Sequence, residues 1–135
     1  MSTRCTINFC YGGKEIAAKV YRHYDGYPEG DSGVLEALQK FFAAVEADTE
    51  DTRFSDPTYL AAKFVVWQAD QMTGSYENGT FVKSDKKMAF TGVGVCIEDP
   101  GDIEYTYYVD CKNSDTLGRP EVTYKDIYAE ASSGS

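Results

Sequence analysis

The stretch DPTYLAAKFVVWQADQM, residues 56–72, decides how the rest of the chain is read. Asp-Pro opens a helix: an Asp side chain caps free N–H groups, and Pro fits the first helical position, where its missing N–H costs nothing. From Thr58 onward, Tyr59, Leu60, Ala61, Ala62, Phe64, Val65, Val66, Trp67 and Ala69 leave almost no polar side. A helix that is apolar all round must be covered all round. One layer of a 135-residue chain has little to cover it with. Burial within the chain and a subunit interface along 58–72 both answer the pattern; a homo-oligomer through this helix is the expectation.

Upstream, Val34, Leu35, Leu38, Phe41, Phe42 and Val45 recur at helical spacing and form one stripe, with Asp31 or Ser32 as cap and an end near Ala47. Asp48 to Ser55 is a polar connector. Further back the period is two. Cys5, Ile7 and Phe9 alternate, Tyr11-Gly12-Gly13-Lys14 turns the chain, and Ile16, Ala18 and Val20 alternate on the return, which predicts a β-hairpin over 3–24. Downstream the period is again two. Asn78-Gly79 is a tight-turn pair, with a short strand expected near 75–82. Met88–Ile97 reads as a strand, Asp99-Pro100-Gly101-Asp102 as a turn, Ile103–Cys111 as a strand, 112–119 as a loop and Pro120–Tyr128 as a last strand. Strands grouped rather than alternating with helices predict an α+β domain: an antiparallel β-sheet with two helices, in the order β-β-α-α-β-β-β. Residues 1–128 form that single domain, and 129–135 read as a disordered tail.

Charge and composition narrow the function. A net charge of −9 and a pI near 4.5 argue against direct nucleic-acid binding, because there is no basic stripe to release counterions. No stretch approaches the roughly 20 apolar residues of a membrane span, and MSTRCTINFC carries no apolar signal core, so a cytoplasmic protein with reduced cysteines is expected. Cys5, Cys10, Cys96 and Cys111 show no metal-binding spacing and read as small core thiols, so neither a metal nor a cofactor is expected.

Catalytic material is sparse. Any triad would need His23, the single histidine, and neither GxxxxGK[ST] nor GxGxxG is present. No catalytic residue is assigned. Three features exceed what a plain core requires. Tyr21-Arg22-His23-Tyr24-Asp25-Gly26-Tyr27-Pro28 gathers rings and a guanidinium where a strand leaves the sheet, a mixture that suits a planar anion; packing rings with an Arg22–Asp25 pair explains it equally. Phe90, Gly92 and Gly94 share a strand face and leave a bare slot beside a ring, open to a ligand or filled by a facing Tyr. Arg119, the only arginine in the last third, closes a phosphate site if the final strand lies near that slot, and is otherwise solvated.

YRHYDGYPEG (21–30), DPTYLAAKFVVWQA (56–69) and GVGVCIEDPGDIEYTYYVD (92–110) together resemble a family of small phage and prokaryotic proteins over residues 5–128. The chain is similar to the phage anti-Thoeris sponge proteins, which capture cyclic ADP-ribose signals without cleaving them. The resemblance implies an oligomeric, non-enzymatic protein that sequesters a cyclic nucleotide immune signal in an infected bacterial host. It also implies roles: Phe90 as stacking platform, Arg22 and Arg119 as phosphate partners, Asp102 as a polar contact to ribose or base, and His23, Tyr24, Tyr27, Gly92 and Gly94 around them. The alternative is an acidic protein-interaction inhibitor of the nucleic-acid-mimic type, such as an anti-CRISPR. A small phosphodiesterase using His23 is the enzyme reading.

Overall fold

The computed structural model describes residues 3–12, 15–23, 25–30, 33–72, 74–83 and 92–127. Asp31, Ser32, the Gly13-Lys14 half of the first turn, the strand residues before Gly92 and the tail from 129 lie outside them. The N-terminal hairpin forms as expected: β1 (Cys5–Cys10) pairs antiparallel with β2 (Ile16–Arg22), in a register that shifts between Phe9 and Cys10. Two helices follow, α1 (Val34–Asp48) and α2 (Pro57–Met72). A separate hairpin of β3 (Gly74–Glu77) and β4 (Thr80–Lys83) turns on Asn78-Gly79, both at positive φ, the conformation this pair adopts in two-residue hairpins. Then come β5 (Val93–Cys96), β6 (Tyr105–Asp110), the one-turn α3 (Ser114–Leu117) and β7 (Glu121–Asp126).

The main sheet has the strand order β5-β2-β1-β6-β7. The α+β class therefore holds, with one departure from an antiparallel sheet: the central pair, β1 and β6, is parallel. The chain's route explains it. β5 adds antiparallel to the outer edge of β2, so it runs the same way as β1. Residues 97–104 then return along the sheet, and β6 starts beside Cys5, where β1 itself starts. On the way Asp99 meets Lys19, whose neighbour Val20 is in the core; the return segment thus crosses the face away from the helices. A second unforeseen element is α3, inside the expected 112–119 loop. It closes on Gly118 in the left-handed conformation, a common helix ending.

Asp56 caps α2 as its sequence predicts. Its carboxylate accepts from the Tyr59 N–H (3.3 Å) and the Thr58 hydroxyl (3.1 Å). The start of α1 is built differently. Gly33 is its N-cap and makes no side-chain cap bond. Carbonyls of the preceding loop supply the acceptors, Val34 N–H to Tyr27 O (2.9 Å) and Leu35 N–H to Pro28 O (3.2 Å). A Cβ on Gly33 would lie 2.5 Å from Glu29 O, so only glycine lets the loop fold this tightly onto the helix.

One face of the sheet and both helices form the core. α2 lies over β1 and β2 and buries Leu60, Ala61, Phe64 and Gln68. Phe64 sits among rings, with Phe41 5.2 Å away edge-on and Phe9 at 5.9 Å. Each such fully buried side chain stabilises the fold by about 1.5–3 kcal/mol. The outer side of α2 stays open: Val66 is 71% and Tyr59 48% exposed.

Candidate functional site

Strand register places the candidate residues along the sheet. Arg22 pairs with Cys5, which pairs with Tyr105, which pairs with Asp126, and these mark one end. Cys10, Asp110 and Glu121 mark the other. Arg22, His23, Tyr27, Gly92 and Asp102 all belong to the first end, with Asp102 at positive φ in the turn just before Glu104 donates its N–H to Arg4 O. Five of the nine expected residues thus share one end of the sheet, though Arg22 and His23 take opposite faces of it, and Gly94 lies one pair further in, opposite Tyr21. Tyr24 and Phe90 lie outside the described residues.

Arg119 is not among them. It follows α3 at the opposite end, about 17 Å away along a six-residue strand rising roughly 3.3 Å per residue. There it is engaged on α1: Nε donates to Glu46 Oε2 (3.1 Å), Nη2 to Glu46 Oε1, and Nη1 to Gln39 Oε1 (3.0 Å). The hydrogen bond from Arg119 holds the Glu46 carboxyl below its ordinary range and raises the guanidinium in return. Within one chain, Arg119 and Arg22 cannot grip one phosphate.

Arg22 is gathered but enclosed, at 4% exposure. Burial lowers its pKa, while Cys5, Asp25, Tyr107 and Tyr27 nearby act the other way. The loop that follows β2 closes over this end. Gly26 N–H donates to Thr3 O (2.8 Å), the Tyr107 hydroxyl donates to Gly26 O (2.6 Å), and the Tyr27 hydroxyl donates to Asp25 Oδ1 (3.2 Å). A Cβ on Gly26 would lie 2.8 Å from Thr3 O, so the loop seals only because that residue is glycine. Arg22 is a buried cation built into the loop closure.

The opposite face at the same end is more open. Tyr21 Oη and His23 Nδ1 lie 2.7 Å apart in a hydrogen bond whose donor is set by the imidazole tautomer, and His23 N–H donates to Gly92 O (3.2 Å). A Cβ on Gly94 would meet nothing within 4 Å. Among the described residues nothing fills the expected slot at Gly94, whose strand partner is Tyr21.

A concavity lies elsewhere. A groove of about 760 Å³ runs between α1 and α2, with Phe41, Ala44, Tyr59, Ala62, Val66 and Trp67 on its walls and Asp48, Lys63 and Asp70 at its rim. Trp67 is held against Phe41 (5.7 Å) and Phe64 (6.1 Å). Lys63 reaches over the Tyr59 ring (5.1 Å), as does Arg53 (4.5 Å). The apolar run of α2 was the signal for this surface. On α1 the groove takes Phe41 and Val45 from the expected stripe, whereas Ala44 belongs to no stripe in the sequence.

Among the described residues, no group of three or more His, Cys, Asp or Glu is placed to hold a metal ion, and no helix is long and apolar enough to cross a membrane. Cys5, Cys10 and Cys111 are buried thiols, and burial pushes Cys5 and Cys111 up to about 12. Comparison of the chain with protein-family models, with curated proteins and with solved structures found no match.

Proposed function

We propose that this protein is a non-enzymatic association module whose working surface is the α1–α2 groove. One observation carries the reading: an apolar concavity of about 760 Å³ with Trp67 in its wall and Val66 71% exposed on its lip. Apolar surface is seldom left open in a concave site unless something fits it. A groove walled by residues of two helices suits a third helix that presents apolar side chains. The groove requires no phosphate-binding cation, which agrees with the engagement of Arg119 by Glu46 and the burial of Arg22. The test is an apolar fluorescent probe on the native protein. Val66→Asp should weaken probe binding about tenfold, the effect of losing one well-buried valine contact, with an unchanged circular dichroism spectrum. Equal binding to both proteins would remove the groove from the function.

A second reading, sequestration of a cyclic nucleotide, is supported by the Tyr21 end, where a ring borders open space at Gly94. Mass spectrometry of small molecules released by heating the purified protein tests it. A recovered intact nucleotide favours it, and its absence after expression beside a nucleotide-producing system counts against it.

A further inference from the structure

We infer that the occupant of the α1–α2 groove is the α2 helix of a second copy, packed antiparallel about a twofold axis that passes between Val66 and Trp67. The inference rests on the groove reading and adds partner, direction and register. A twofold interface uses one patch twice, so the patch must complement itself: what residue i offers, residue j must accept, and the reverse. Lys63 and Asp70 meet that condition. They are two helical turns apart on the same side of α2, and both line the groove. Their midpoint falls between residues 66 and 67. An antiparallel copy centred there sets Lys63 against the second copy's Asp70, and Asp70 against its Lys63. Val66, 71% exposed, then meets Trp67, whose indole is already fixed against Phe41 and Phe64 and needs little ordering on association. On the far wall Ala44 leaves room for the incoming helix.

Charge also selects direction. A parallel twofold pairing would set Asp70 on Asp70 and Lys63 on Lys63, which two copies already at −9 each would oppose. Asp70 also accepts from Lys83 (3.1 Å), and Lys63 donates to Thr52 O (3.3 Å). The Lys83 contact is exposed, and exposed pairs of this kind contribute little.

Sedimentation of the full chain over a wide concentration range tests the proposal. The wild type should show a dimer whose fraction grows with concentration. Lys63→Asp and Asp70→Lys should each weaken association about tenfold, because each puts like charges opposite one another twice. The double variant Lys63→Asp/Asp70→Lys should recover it, since both pairs are rebuilt with their signs exchanged. Val66→Glu should abolish association without touching either charge. A wild type that stays monomeric throughout, single reversals that leave association unchanged, or a double variant that fails to recover would each overturn the inference. The two readings fail separately. A monomer that still binds the apolar probe in a Val66-dependent way keeps the groove and loses this occupant, whereas a monomer that binds no probe loses both.

Discussion

Arg22 and Arg119 stand at opposite ends of the central sheet and are used in opposite ways. At the first end, the loop after β2 folds back through Gly26, is fastened by the Tyr107 hydroxyl, and encloses Arg22 at 4% exposure. At the second, Arg119 reaches across the surface from the α3 turn and forks onto Glu46 and Gln39 of α1. Composition treats these cations as equivalent. Topology makes one part of the interior and the other a surface clamp, already engaged by Glu46 and Gln39.

The comparison breaks most visibly at Arg22. Arg22→Met should cost about 3 kcal/mol or more, because it takes the buried guanidinium from beside Asp25 and leaves that carboxylate without its counter-charge. Urea unfolding measures this, and a midpoint unchanged from wild type would mean that the enclosed cation is dispensable. Next in size is Tyr107→Phe, which keeps the ring but strands the Gly26 carbonyl that accepts its hydroxyl at 2.6 Å. A loss of about 1–2 kcal/mol is expected, with faster amide exchange at Gly26. If stability falls but Gly26 exchange does not change, the latch assigned to this hydroxyl is wrong. The smallest effect belongs to Arg119→Ala, and it should depend on pH. Glu46 is held below the usual carboxylate range by its hydrogen bond from Arg119. A carboxyl lowered on folding contributes above its unfolded pKa and loses that contribution as pH falls through its folded value. The gap in Tm between wild type and Arg119→Ala should thus be present at neutral pH and close in acid as Glu46 takes up its proton. A gap that persists in acid would show that the pair is packing rather than charge.

Local chemistry was legible in the sequence; choice of partner was not. The Asp56-Pro57 start of α2, the Asn78-Gly79 hairpin and the alternation in β1, β2 and β6 could be read because each signal lies within a few residues of its effect. The parallel β1–β6 pairing could not, since alternation states which face a side chain takes and not which strand lies beside it. The same limit governs the candidate site. The sequence brought Arg22, His23 and Tyr27 together because they are neighbours in it. It could not show that Glu46 claims Arg119 from 73 residues away, nor that the loop seals Arg22 inside. The apolar circumference of α2 was a true signal. One side faces the sheet, and the other, with Tyr59, Ala62 and Val66, walls the groove.

The parallel β1–β6 pair has a consequence for how the chain is made. Cys5 finds its neighbour on that edge only at Tyr105. During synthesis the first hairpin therefore leaves the ribosome with one edge open, and it stays open until both helices and the strand from Tyr105 have followed. Contacts this distant along the chain slow folding, and an edge unpaired for so long invites the wrong strand. A nascent chain halted before β6 would hold its helices and its hairpin yet lack the strand that closes the centre.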